Sequence, residues 1–112
     1  MAADVPSFAL EVRHESDRTH FVPHGELDLA VAPELEDRVL EALRGGGTSI
    51  VLDLRELTFM DSTGVRAIVS AHQVAQEAGA DLLLVRPSAD SAAWRVIEIS
   101  GIDKALGLVD AP

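Results

Sequence analysis

The sequence predicts an α/β domain with a mixed β-sheet of about four strands and helices packed on it, and three observations carry that expectation. Strand-like and helix-like segments follow one another in the order strand, strand, helix, strand, helix, strand, helix. Ser49-Ile50-Val51-Leu52-Asp53-Leu54 is an almost unbroken apolar run, as expected of a central strand covered by helices. Glycines at Gly45, Gly79 and Gly101 close the three helical stretches, where a left-handed residue ends a helix at low cost.

The elements can be justified in order. Phe8-Ala9-Leu10-Glu11-Val12-Arg13 alternates apolar and polar residues, and Thr19-His20-Phe21-Val22-Pro23-His24-Gly25 follows the polar turn Glu15-Ser16-Asp17-Arg18, so the two read as a β-hairpin. Pro23 has no N–H to give, which places it where its nitrogen faces away from a neighbouring strand or at a bulge. Pro33 suits an opening helical turn, and Glu34, Glu36 and Asp37 favour the positive end of the dipole. Leu35, Val39, Ala42 and Leu43 then recur at helical spacing until Gly45-Gly46-Gly47. Thr63 to Ala78 reads as the second helix, with Val65, Ile68, Val69 and His72 on one face and Ala67, Ala71 and Ala75 as small packing positions. Asp81-Leu82-Leu83-Leu84-Val85 is a further buried strand, closed by Pro87 and joined to the strand at 50–54 by a right-handed crossover. Ser88 is the candidate cap of a last helix whose Ala93, Val96, Ile97 and Ser100 line one side, and residues 102–109 are expected to pack back on the core as a short tail.

Composition narrows the function classes. At 112 residues the chain is read as one domain, 1–112, able to bury a single modest core. A net charge of -10 argues against direct DNA binding and against an anionic membrane surface, since both polyanions demand Lys and Arg; a basic protein surface suits it better. The absence of cysteine removes disulfides, a thiol nucleophile and thiolate metal ligands, and leaves the cytoplasm as the expected compartment. Met1-Ala2-Ala3-Asp4-Val5-Pro6 lacks the basic and apolar regions of a signal peptide, and no apolar run approaches the length of a membrane span.

Chemistry concentrates in one place, the run from Val51 to Val65, where a buried-looking strand leads through Asp61-Ser62-Thr63-Gly64 into a helix. A hydroxyl there faces unpaired backbone N–H groups and the positive end of the dipole, so a phosphate on Ser62 can be held without unfolding the domain. Ser62 as a plain N-cap is the competing reading, and Asp61 is the alternative cap that leaves the hydroxyl free; Thr63 is the second candidate for modification. Gly64 allows a close backbone approach or is simply tolerated in the first turn.

No catalytic constellation is found: no hydroxyl, histidine and acid form a nucleophile motif, and Gly45-Gly46-Gly47 lacks the Lys-Ser/Thr of a P-loop. No metal site is expected either, because His20 and His24 lie about 13 Å apart along an extended strand, with His14 across the hairpin as a remote third. His72 reads as a boundary histidine, Asp53 as a strand end, and Trp94 as either core or contact residue.

Three segments together resemble the STAS family, the anti-sigma-factor antagonists, over residues 6–108: His24-Gly25-Glu26-Leu27-Asp28-Leu29-Ala30-Val31-Ala32-Pro33-Glu34-Leu35, residues 51–65, and Leu82-Leu83-Leu84-Val85-Arg86-Pro87 with Val96-Ile97-Glu98-Ile99-Ser100-Gly101-Ile102-Asp103. The resemblance implies that Ser62 is the phosphorylated serine of an Asp-Ser-(Ser/Thr)-Gly turn, and that Glu26, Asp28 and Asp61 share the partner-binding face with Thr63 and Gly64. It further implies an anti-anti-sigma factor that is no enzyme and needs no cofactor of its own: the partner would be an anti-sigma factor serine kinase supplying ATP and Mg²⁺, with a serine phosphatase restoring the binding form. Two departures stand out. Gly64-Val65-Arg66 replaces a commoner Gly-Leu-Gly, making Arg66 a candidate for partner choice, and the stretch around Asp90-Ser91-Ala92 and Trp94 differs from the commoner form. The alternative role is a constitutive STAS subunit of a stress-signalling scaffold or a lipid-transport ABC complex; direct nucleotide binding ranks last, lacking a phosphate cradle.

Overall fold

A computed structural model describes residues 8–46 and 49–112; the segment Met1 to Pro6 and the last glycine of the Gly45–Gly47 run lie outside the described residues. The chain runs β1 (Phe8–Glu15), β2 (Arg18–Leu27), α1 (Ala32–Arg44), β3 (Ser49–Asp53), β4 (Leu57–Met60), α2 (Ser62–Ala78), β5 (Asp81–Val85), α3 (Ala92–Ser100) and α4 (Ile102–Leu106). The sheet has five strands, not about four: its order is β1-β2-β3-β5, with β4 also paired to β2.

The hairpin forms as expected, in antiparallel register from Phe8↔Gly25 to Glu15↔Arg18. On its other edge β2 is shared, pairing in parallel with β3 through Thr19–Phe21 and with β4 through Gly25–Leu27, with a register shift between Gly25 and Glu26. Pro23 falls between these two pairings, where its missing N–H deprives neither ladder. Gly25, at φ 99°, takes a conformation there that a side chain would strain, and its N–H donates to the Glu56 carbonyl at 3.2 Å. β5 adds in parallel to β3 from Ser49↔Asp81 to Asp53↔Val85, and Val109 bridges on to Val85. The expected tail is thus a short helix, α4, followed by a one-residue bridge.

Helix packing refines the expected faces. In α1 the buried residues are Ala32, Leu35, Val39 and Leu43, with Ala42 only half-buried. In α2 the buried stripe is Gly64, Ala67, Ile68, Ala71 and Ala75, while Val65, Val69 and His72 sit half-buried at its edge. α1 and α2 pack on each other, and small side chains let the two backbones approach, which turns the alanine stripe inward in place of the valines. Ser91 caps α3, its Oγ accepting the Trp94 N–H at 3.0 Å; Ser88, the expected cap, instead uses its carbonyl to accept the Ser91 hydroxyl at 2.7 Å. Phe21, Leu27, Leu35, Ile50, Leu52, Met60, Ile68 and Ile97 are among the residues that close the core between helices and sheet.

Candidate functional site

The site is built where β2 and β4 end side by side. Leu27 pairs with Met60, and the Asp61 N–H donates to the Leu27 carbonyl at 3.2 Å, so the chain leaves β4 beside the end of β2 and enters α2 at the next residue. Asp61, in extended backbone, is the N-cap: its Oδ1 accepts the Thr63 N–H at 2.9 Å and the Gly64 N–H at 3.2 Å. Its Oδ2 accepts the Leu29 N–H at 3.3 Å. One carboxylate therefore ties the start of α2 to the loop that follows β2.

That arrangement decides between the two caps. Ser62 is the first residue of α2 and is exposed, and among the described residues no hydrogen bond engages its hydroxyl. Thr63 is half-buried. Gly64 is buried: a Cβ built on it would lie 2.8 Å from the Leu27 carbonyl oxygen and 3.1 Å from Leu27 Cγ. The space left by its missing side chain is taken by the chain's own β2, so a close approach does occur here, but from within the domain and not from a partner.

The two expected loop carboxylates differ. Asp28 is half-buried and shapes the loop, its Oδ1 accepting the Ala30 N–H at 3.0 Å and its carbonyl accepting the Val31 and Ala32 N–H groups at 3.1 and 2.8 Å. Glu26 is exposed, in register with Phe59 of β4. Arg66 is exposed one turn into α2, without an ion pair among the described residues. Of the expected residues, Glu26, Ser62 and Arg66 present open side chains, Asp28 and Asp61 hold the scaffold, and Gly64 is internal. Leu29 was not expected: it is 72% exposed at the loop tip held by Asp61. In sequence it reads as one more apolar residue in Leu27-Asp28-Leu29-Ala30-Val31, and only its outward placement marks it.

The remaining candidates lie elsewhere. Asp53 is 2% exposed at the end of β3 and receives the Arg55 guanidinium at 3.0, 3.2 and 2.7 Å, together with the Arg55 N–H at 3.1 Å. Burial works against its charge, yet the bonds and charge of Arg55, helped by Arg13, outweigh it and hold the carboxyl below its ordinary value. Asp53 is a structural ion pair. His20 is buried with Nε2 3.6 Å from Glu15, His24 meets Glu11 at 2.9 Å, and His14 lies near Thr19 at 3.3 Å. Because Arg13 and not His14 is the residue opposite His20, His14 projects from the other face of the hairpin. Trp94 is half-buried under the Arg86 guanidinium, 5.2 Å from its ring centre. A surface cavity of about 660 Å³, lined by Glu15, Arg18, His20, Ser49 and Asp81 among others, opens at the opposite end of the sheet from Ser62.

Comparison with known proteins places this geometry. The STAS domain model matches residues 9–110, and the chain belongs to the STAS-domain family. An anti-sigma factor antagonist from Mycobacterium paratuberculosis superposes with a TM-score of 0.74 at 23% identity, covering 94% of this chain and 87% of that one. SpoIIAA, an anti-sigma factor antagonist and Bacillus cell fate determinant, is similar in its unphosphorylated form (TM-score 0.65, 21% identity, 89% and 100% of the two chains) and in its phosphorylated form (0.71, 23%, 93% and 92%). At these identities the structures establish the fold. A low affinity sulfate transporter of Stylosanthes hamata is 31% identical over 67 residues, which are 60% of this chain and only 10% of the transporter. Among the described residues no helix is long and apolar enough to cross a membrane.

Proposed function

We propose that this STAS domain is a cytoplasmic anti-sigma-factor antagonist without enzymatic activity, switched by phosphorylation of Ser62. In the unmodified form it docks on a kinase-type anti-sigma factor and frees a sigma factor; the same partner, with its own ATP and Mg²⁺, transfers phosphate to Ser62, and a serine phosphatase reverses the step. The observation that carries this reading is the exposed, unbonded Ser62 hydroxyl beside a helix start whose capping is already done by Asp61. A kinase can reach that hydroxyl without dismantling the helix.

The docking surface that fits is the loop tip with Leu29, flanked by Glu26 and the first turn of α2 with Ser62 and Arg66. An apolar centre with Glu26 on one side and Arg66 on the other suits a partner offering a hydrophobic recess with a basic group opposite Glu26 and an acceptor opposite Arg66. Phosphate adds about -1.5 to -2 charges to this surface at pH 7. Against the partner acceptor that Arg66 faces, each unit pair of like charge at ~6 Å and an effective dielectric of ~20 repels by roughly 3 kcal/mol before salt screening, enough to lower affinity tenfold or more. The likeness of this chain to SpoIIAA in both its unphosphorylated and phosphorylated forms supports a switch that leaves the fold in place. The test is a reconstituted reaction with candidate anti-sigma kinases and ATP-Mg²⁺, followed by peptide mapping: phosphate on Ser62, lost in Ser62→Ala, is expected, and full labelling of Ser62→Ala would overturn it.

The sulfate-transporter match gives a second reading some footing, in which the domain is a constitutive subunit of a transport or scaffold assembly and Ser62 stays unmodified. Copurification separates the two: a kinase-like anti-sigma factor favours the switch, a stable permease or scaffold the subunit.

A further inference from the structure

Ser62 and Arg66 are four residues apart at the start of α2, both are exposed, and neither side chain is engaged among the described residues. Residues four apart on a helix stand one above the other. Helical side chains also lean toward the N-terminus, so a residue covers the turn before its own Cα, and Ser62 stands on the turn that Arg66 is placed to cover. Ser70, the next residue on this stripe, donates to Glu36 of α1 at 3.3 Å, which shows that the stripe borders α1 and leaves Arg66 as the cation between that pair and the serine. Asp61, the acid nearest the serine in sequence, is committed to three backbone N–H groups, and Asp28 to the Ala30 N–H. Neither shares an ion pair with Arg66 among the described residues, so the guanidinium is left to respond to whatever appears on Ser62.

We propose that Arg66 is the intramolecular clamp for a phosphate on Ser62: once the phosphate is present, the guanidinium folds back one helical turn to bind it by charge-assisted hydrogen bonds, and is withdrawn from the docking surface. This rests on Ser62 as the modified residue and says how that modification is read. In the unmodified domain Arg66 is free to meet an acceptor on the partner. In the phosphorylated domain the same side chain is occupied, so the partner loses a cationic contact as well as meeting a new anion. An arginine fits the role because its planar fork matches two phosphate oxygens, whereas a lysine offers a point charge.

The test installs phosphoserine at position 62 during translation, so that it depends on no kinase and separates failure of the clamp from failure of the switch. The phosphorus NMR signal of the full chain is titrated against pH in the phosphorylated protein, in phosphorylated Arg66→Gln and in phosphorylated Arg66→Lys. The second ionisation of the phosphate should lie lower by about 0.3 to 0.5 units with Arg66 than with Gln, with Lys between them, and the difference should vanish in denaturant. The Arg66 Nε–H signal should shift on phosphorylation. Identical titrations for Arg66 and Arg66→Gln, or a difference that survives unfolding, would overturn the clamp. Absence of phosphate on Ser62 in cells would instead count against the proposed function, leaving this intramolecular chemistry as measured.

Discussion

At the scale of single residues, the site separates groups that hold the turn from groups that are presented by it. The Ser62 hydroxyl makes no hydrogen bond among the described residues, so Ser62→Ala should change stability by no more than about 0.5 kcal/mol while removing the modification. Asp61→Ala removes the cap of α2 and the acceptor of the Leu29 N–H, and a loss of about 1–2 kcal/mol in denaturant unfolding is expected, together with weaker partner binding as the loop is released. Gly64→Ala forces a Cβ against the Leu27 carbonyl and should cost about 1–3 kcal/mol. Leu29→Ala should leave melting unchanged, since the side chain is 72% exposed, yet weaken binding to the anti-sigma factor about tenfold; equal affinity would remove Leu29 from the docking surface. The sequence pattern made Asp61 readable as a cap because Asp-Ser-Thr-Gly before an apolar helix is a local signal. Its bond to Leu29 was not readable, since the partners are 32 positions apart and meet only through the pairing of β2 with β4.

At the scale of elements, the same contrast explains what was missed. β3 was legible as an apolar run because, flanked by β2 and β5, it buries Ile50 to Asp53; β5 was legible from Leu82 to Val85, although at the edge of the sheet it buries only Leu84 and Val85. β4 was not, because Leu57 and Met60 are buried while Thr58 and Phe59 are exposed, a pattern with neither the period of a strand nor that of a helix. The Ser91 cap lay three residues beyond Ser88, and nothing local separates two serines that each precede a helical run. The turn from β3 to β4 is held by Asp53 and Arg55. Asp53 has its folded-state ionisation below the ordinary 3.8, so its contribution to stability is complete above that pH and is lost as pH falls through the lower folded value. Thermal unfolding from pH 7 down to pH 2.5 should therefore show a shallower acid loss in Asp53→Asn than in the parent; parallel curves would mean the pair stabilises nothing. Arg55→Ala should cost about 1–3 kcal/mol near neutral pH by leaving a buried carboxylate without its partner.

At the scale of the whole molecule, the five-stranded sheet and its helices act as a mount: the groups that position Ser62 belong to β2, β4, α2 and the loop between β2 and α1, joined by Asp61 between β4 and α2. A mount of this kind turns a covalent change at one hydroxyl into a change of surface and not of fold. With 19 acidic and 9 basic residues the chain is already an anion, so docking on a basic partner should weaken with salt, while a phosphate on Ser62 sets its charge against the partner acceptor that Arg66 faces. The measurement that bears most directly on this account is a calorimetric titration of the kinase-type anti-sigma factor with the protein before and after phosphorylation of Ser62, with circular dichroism on the same samples. The account predicts unchanged dichroism and an affinity lower by at least about tenfold for the phosphorylated form. Equal affinities for the two forms, or affinity lost only together with secondary structure, would contradict it.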